Sequence, residues 1–250
     1  MTATPPIPPD LVEIMRRATH IAALTGAGTS AESGVPTFRD AQTGLWAQYD
    51  PQELATPQAF RRDPRLVWEW YAWRRSLVAQ ASPNAGHLAL AALEKCAPRF
   101  TLITQNVDGL HQRAGSTAVI ELHGNITRTK CADCARIVNE WPPTDEAPPR
   151  CPHCGGLLRP DVVWFNEMLP FDALSAARTA ARDCDLFLSI GTSAIVQPAA
   201  SIPLEAAEYG AVTAEINPHP TPLSRFVDYV LSGPSGLILP ALVAAAWPDA

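Results

Sequence analysis

The sequence predicts an α/β protein: a Rossmann-like, mostly parallel sheet with helices on both faces, plus a small inserted zinc-binding module. Three observations predict it. Short apolar runs alternate with segments of helical period along most of the 250-residue chain. The first of these runs stops abruptly at a glycine turn, Gly26-Ala27-Gly28. Two Cys-x-x-Cys pairs then fall together in a polar, proline-rich stretch that breaks the alternation.

Taken in order, Leu11–Thr19 has the apolar spacing of a short helix, with Asp10 as its predicted N-cap. His20–Thr25 reads as a buried strand. The stretch from Thr37 to Pro64 has no clear period and reads as loop with short helical turns. Val67–Ala81 is a helix crowded with aromatics, and His87–Cys96 a second helix behind the turn residues Pro83 and Asn84. Phe100–Thr104 and Val119–Leu122 read as strands, the latter running into His123-Gly124-Asn125. After the cysteine segment come Val162–Phe165 (strand), Leu174–Arg182 (helix), Leu186–Ile190 (strand), Ala199–Tyr209 (helix), Val212–Ile216 (strand) and a terminal helix near Leu239–Ala246. The resulting domain plan has residues 1–128 and 161–250 as a dinucleotide-binding layer. A helical and loop insertion spans about 41–84, and the small module spans 129–160.

Composition narrows the function. A chain of this length buries roughly 75% of its unfolded surface, so it needs no disulfides. The net charge of −6 argues against nucleic acid as a partner, because phosphate binding calls for a basic surface. No apolar run approaches the roughly 18 residues that span a bilayer, and the proline-rich start has no secretory pattern. The expectation is a soluble, cytoplasmic protein with no membrane partner.

The strongest single signal is Cys131-x-x-Cys134, sixteen residues, then Cys151-x-x-Cys154. Two such knuckles bring four thiolates into a tetrahedron, the geometry a structural zinc ion prefers, and leave no position open for water or substrate. Cys96 and Cys184 are left over and read as core packing. The glycine turn, extended to Gly26-Ala27-Gly28-Thr29-Ser30-Ala31, fits G-x-G-x-x-(G/A) after a strand. The glycines would admit a pyrophosphate, and N–H groups at the following helix start would bind its charge. Alone this is a weak motif. No acidic ribose ligand follows at the usual distance, so a hydride-transferring dehydrogenase is a poor fit.

The run from Gly26 through Glu32-Ser33-Gly34-Val35-Pro36-Thr37-Phe38-Arg39 resembles the sirtuin signature GAG(I/T)SxxSGIPxFR. Thr104-Gln105-Asn106-Val107-Asp108-Gly109-Leu110-His111 is similar to that family's TQNxDxLH, and Glu121-Leu122-His123-Gly124 to its (E/Q)LHG. Gly191-Thr192-Ser193 and Ile216-Asn217 match its GTS and (I/V)N elements, and the four cysteines fall where the family carries zinc. The resemblance covers nearly the whole chain.

It implies an NAD-dependent protein-lysine deacylase. NAD would bind through Gly26, Ala27, Gly28, Thr29 and Ser30, with Phe38 and Arg39 on the loop covering it. Gln105, Asn106 and Asp108 would hold the nicotinamide ribose and carboxamide, and Gly191, Thr192, Ser193, Asn217 and Ser235 the adenosine half. Of these, Asn106 and Asp108 would be catalytic with His123. The substrate acyl oxygen would attack the anomeric carbon as nicotinamide leaves. His123 would then act as general base on a ribose hydroxyl, a role suited to imidazole. A lone histidine is more often structural; its place at a strand end within Leu-His-Gly argues otherwise.

Tyr71 and Arg74, three apart on one helix face, resemble the Y-x-x-R element of class III sirtuins, which remove succinyl, malonyl and glutaryl groups. Ala55 matches the small residue that widens the acyl pocket there. Acyl-lysine proteins or peptides would be the partners, with Val162, Val163 and Phe165 lining their cleft by strand pairing; a plain core strand is the alternative for that stretch. The family reads VxFGE where this chain has Phe165-Asn166-Glu167, and Asn tolerates the left-handed turn better than most residues. A mono-ADP-ribosyltransferase sharing His123, or a zinc-ribbon binding module without catalysis, remain the rival readings.

Overall fold

The structure, a computed structural model, describes residues 6–36 and 49–248. Its elements in chain order are α1 (Pro9–Arg17), β1 (Ile21–Thr25), α2 (Ala27–Ala31), α3 (Pro51–Leu54), α4 (Pro57–Arg62), α5 (Pro64–Gln80) and α6 (Ala85–Cys96). There follow β2 (Phe100–Thr104), α7 (Leu110–Arg113), β3 (Val119–Glu121), β4 (Gly124–Cys131), β5 (Leu158–Val162), α8 (Phe171–Asp183) and β6 (Leu186–Ile190). The chain closes with α9 (Ile202–Glu208), β7 (Val212–Asn217), β8 (Tyr229–Ser232) and α10 (Ser235–Ala246).

Six strands form one parallel sheet in the order β3-β2-β1-β6-β7-β8. The order reverses at β1: the chain steps outward to β2 and β3, then returns to β6 on the other side. That reversal opens a crevice beyond the carboxyl ends of β1 and β6, where ligands of doubly wound sheets bind. All five residues of β1 are buried, as expected of a strand covered on both faces. Alternate side chains serve opposite layers. Ile21 and Ala23 pack with Leu11 and Met15 of α1, Leu90 and Leu93 of α6 and Leu239 and Leu242 of α10. Ala22 and Leu24 pack with Ala177 and Ala181 of α8 and Ile202 and Ala206 of α9.

The predicted α/β plan therefore holds, with local corrections. Asp10 is not the N-cap; α1 starts at Pro9, whose missing N–H suits a first turn, and Asp10 accepts a hydrogen bond from the Tyr229 hydroxyl at 2.7 Å. The α5 helix begins a turn before Val67, because Asp63 caps it by accepting from the Leu66 N–H and Pro64 follows. The strand expected at Val162–Phe165 lies upstream, at Leu158–Val162, where it pairs antiparallel with β4. Residues 163–167 form an extended run and a turn instead, with Asn166 left-handed at φ 69°. The helix expected over Ala199–Tyr209 splits into a single 3-10 turn and α9. The edge strand β8 has no counterpart in the sequence reading.

Two smaller cores sit beside the sheet. One joins Leu54, Phe60, Val67, Trp70 and Tyr71 of the helical insertion to Ile126, Val162 and Trp164. The other surrounds Cys131 and Cys151, with Trp68 and Trp141 edge to face at 6.1 Å.

The start of α6 is tied to the glycine turn by one side chain. Asn84 Oδ1 accepts from the Gly86 and His87 N–H groups, while its Nδ2 donates to Thr29 O at 2.8 Å and Ser33 Oγ at 3.0 Å. Asn84→Ala removes a cap and two cross-links, an expected loss of about 2 kcal/mol in denaturant unfolding. Asn84→Asp keeps the cap and should lose about half of that. Indistinguishable midpoints for the three proteins would contradict this account.

Candidate active site

The two loops at the sheet reversal interlock. Gly26 N donates to Ile190 O at 3.0 Å, Gly28 N to Gly191 O at 2.9 Å, and Gly191 N to Ile216 O at 2.9 Å. A Cβ on either Gly26 or Gly28 would sit 2.8 Å from Gly191 O. Gly191 itself is left-handed, at φ 59°. The glycines are thus demanded first by backbone packing against the β6 loop. Of the amides at the start of α2, those of Gly28 and Thr29 are already committed, to Gly191 O and Gly26 O; Ala27 lies at the rim, and Thr29 and Ser30 are buried below it.

On the β6 side, Asn217 Nδ2 donates to Thr192 O at 2.7 Å, binding the β7 end to the β6 loop. Thr192 is buried and its hydroxyl accepts from the Ala194 N–H; Ser193 beside it is half-buried. Ser235 is buried and its hydroxyl donates to Glu32 Oε1 at 3.2 Å, which ties α10 to α2. Phe38 and Arg39 lie outside the described residues.

Beneath the crevice runs a buried relay of hydrogen bonds. Thr25 Oγ1 donates to Thr104 Oγ1 at 2.8 Å, and Thr104 Oγ1 accepts from the Asn106 N–H. Asn106 Nδ2 donates to Gly26 O and to Ser30 Oγ, both at 3.0 Å. Ser30 Oγ donates to Asp108 Oδ2 at 2.7 Å, and Asp108 Oδ1 caps α7 by accepting from the Leu110 N–H. The relay draws together Ser30, Asn106 and Asp108, three of the residues singled out from sequence.

It also includes two histidines that sequence reasoning passed over as site residues, His87 and His111, whose rings lie 4.8 Å apart. Because Asn84 N donates to His87 Nδ1, the proton of His87 is on Nε2, 3.4 Å from Ser30 Oγ. Because the Thr25 hydrogen goes to Thr104, His111 Nε2 must donate to Thr25 Oγ1 at 2.8 Å. Both rings are neutral: burial lowers the His87 pKa, and burial together with His87 brings that of His111 down to about 3. The signal that could have found His87 is its place three residues after the Asn84 cap.

His123 follows β3 and stands at the crevice wall, half-buried. Its Nδ1 lies 2.9 Å from Gln105 O. A carbonyl only accepts, so Nδ1 carries the proton and the Nε2 lone pair is bare. Burial lowers its pKa, opposed by the Gln105 bond, and the neutral ring is the form present at neutral pH. Gln105 itself is held by its N–H to Thr25 O.

The insertion brings a second group of candidate residues together. Tyr71 is wholly buried, and Trp164 Nε1 donates to its hydroxyl at 3.1 Å. The Arg74 guanidinium carbon lies 5.0 Å from the Trp70 ring centre and 5.8 Å from that of Tyr71. Burial lowers the Arg74 pKa, while Tyr71 and Asp108 act to raise it, so this cation feels the relay's carboxylate. Ala55 is buried, and its carbonyl accepts from the Phe165 N–H at 2.9 Å. Val163 N donates to His123 O. Val162 ends β5, and its carbonyl accepts from Arg159.

The four Sγ atoms of Cys131, Cys134, Cys151 and Cys154 lie within 4.8 Å of one another. Cys131 and Cys154 are 3.4 Å apart, Cys134 and Cys151 3.9 Å. A tetrahedron of Zn–S bonds ~2.3 Å long places its sulfurs about 3.8 Å apart, so the donor set fits zinc and leaves no coordination position for chemistry.

Residues 26–198 match the Sir2 family, and the chain belongs to it. It is 56% identical to a protein of Aquifex aeolicus named NAD-dependent protein deacylase, over 84% of this chain and 87% of that one. Among solved structures, a Sir2 homologue in complex with NAD superposes with a TM-score of 0.90 at 46% identity, covering 98% of this chain and 96% of its own. A Sir2–p53 peptide–NAD+ complex superposes at 0.82 with 30% identity, over 93% and 95%.

The zinc assignment has a direct check. Elemental analysis should find one zinc per chain. Cys151→Ser should lose it together with protease resistance between residues 124 and 162; retained zinc would exclude the four-sulfur site.

Proposed function

We propose that the protein is an NAD-dependent protein-lysine deacylase that removes succinyl and malonyl groups as well as acetyl. The observation that carries the first part is the bare Nε2 of His123 at the crevice wall, oriented by the Gln105 carbonyl, beside the Ser30–Asn106–Asp108 relay. The relatives' names and complexes support the same reading. NAD, when bound, supplies an anomeric carbon from which nicotinamide leaves.

The chain's own residues do the rest. Asn106 and Asp108, with Ser30 and Gln105, would orient the nicotinamide ribose, and Gly26–Ser30 the pyrophosphate. Gly191–Ser193, Asn217 and the segment before Ser235 would hold the adenosine half. The His123 Nε2 would take the proton of a ribose hydroxyl as that oxygen attacks the acyl carbon, and, with one solvent water consumed to release the amine, products would be lysine, nicotinamide and O-acyl-ADP-ribose. Val162, Val163 and Phe165 would line the peptide cleft. Since the Val163 and Phe165 N–H groups are committed to His123 and Ala55, pairing there would use their carbonyls.

The preference for acidic acyl groups rests on Tyr71 and Arg74. A guanidinium beside a phenol, both largely removed from water, suits a carboxylate far better than a methyl group. The small Ala55 leaves room for the longer chain. Arg74→Met should lower desuccinylation by about a hundredfold, the order expected for a lost charge-assisted pair, and deacetylation much less. Equal loss of both would sink the acidic-acyl reading.

A general base must be unprotonated to work. With its pKa lowered, His123 stays in that form below the ordinary histidine range as well as above it. The acidic limb of the kcat/KM profile should therefore fall below pH ~6.5, and His123→Ala should abolish turnover. A limb centred above pH ~7 would mean that another group titrates.

A further inference from the structure

Trp164 occupies a place that the catalytic reading does not explain. It is buried in the insertion's core, its ring 5.2 Å from that of Phe60, yet it aims its one polar atom at Tyr71. An indole N–H can only donate, so the Tyr71 oxygen must accept. Among the described residues this is the only hydrogen bond of that hydroxyl. A phenolic O–H lies near the ring plane and has two favoured orientations. The indole occupies one, and the neighbouring Arg74 is likewise a donor only. The Tyr71 ring cannot turn away, being fully buried and edge to face with Trp70 at 4.7 Å.

We propose that Trp164 is a specificity-positioning residue: its indole N–H holds Tyr71 as an acceptor, so that the phenolic proton is presented to an acyl carboxylate beside Arg74. This deepens, and rests on, the acidic-acyl reading of Tyr71 and Arg74. Trp164 is itself held by a buried ion pair on the exit from β5. Arg159 donates from Nη1 to Glu167 Oε1 at 2.6 Å and from Nη2 to Oε2 at 2.9 Å, and Nη2 also reaches Val162 O at 2.8 Å. The same guanidinium lies over the Trp164 ring, its central carbon 3.3 Å from the ring centre. Glu167 Oε2 accepts from the Trp164 N–H at 2.8 Å. One ion pair thus fixes both the backbone and the ring of Trp164. Burial pushes the Glu167 pKa up, but the Arg159 and Trp164 bonds outweigh it and hold the carboxyl below its usual range, ionised at neutral pH.

The test measures kcat/KM for matched succinyl-lysine and acetyl-lysine peptides with Trp164→Phe, Tyr71→Phe, the double variant and Arg74→Met. Phenylalanine keeps an aromatic ring against Arg159 and deletes the N–H. Trp164→Phe should lower the succinyl-to-acetyl ratio on the order of tenfold. In the Tyr71→Phe background the same change should move the ratio by less than about twofold, because its effect passes through the phenol. A merely structural Trp164 would lower both activities together, or act equally in both backgrounds, and either result overturns the inference. Arg74→Met selective with Trp164→Phe unselective overturns the inference alone; Arg74→Met unselective overturns the acidic-acyl reading and the inference with it. Should Trp164→Phe not fold, Glu167→Gln loosens the indole from behind and should lower the ratio by a smaller factor; an unchanged ratio there also overturns the proposal.

Discussion

The hydroxyl of Ser30 is the constraint on which the site depends. It accepts from Asn106 Nδ2, faces the His87 Nε2 proton and donates to Asp108, so its hydrogen-bonding capacity is filled from two segments distant in sequence, the loop after β2 and the start of α6. Buried polar groups deprived of such a partner cost about 1–3 kcal/mol each. The glycine turn, the β2 end and the α6 start are therefore locked in one arrangement. Asp108 is fixed from its other oxygen by the Leu110 N–H, which leaves little freedom in this part of the candidate site. That rigidity is what a site needs when positioning carries much of the catalysis.

The rest of the molecule gathers around that lock in two ways. The sheet brings the carboxyl ends of β1, β2 and β6 side by side, and the glycines allow the loops after β1 and β6 to touch backbone to backbone. The insertion and the cysteine module act from the side. The β5 strand leads directly from the second cysteine knuckle to Trp164, and α5 brings Tyr71 and Arg74 opposite. Folding of the metal module is thereby linked to the placement of Trp164 against Tyr71, since β5 is held in register by β4, which ends at Cys131.

Legibility from sequence differed between elements for identifiable reasons. β2 and β6 have the observed bounds because each is a short apolar run ended by turn residues. The four cysteines were legible because metal geometry forces their spacing. The Val162–Phe165 strand was misplaced because its residues look like a strand while their N–H groups are taken by His123 and Ala55, in an extended but unpaired run. β8 was missed because it is a four-residue edge strand, too short for its apolar pattern to stand out from the connection that precedes it. His87 and His111 were passed over because their local marks, a place three residues after the Asn84 cap and the end of the Thr104–His111 motif, do not tell that the two rings meet in one buried relay.

By itself the sequence determined the α/β layering and the four-cysteine cluster, because strand period and thiolate spacing are local consequences of chain geometry. Only the tertiary structure decided which nitrogen of His123 is bare, how His87 and His111 are protonated, and that the Tyr71 hydroxyl accepts from Trp164. Those are properties of hydrogen bonds between residues far apart in the chain, and a donor's direction exists only once its partner has been brought to it.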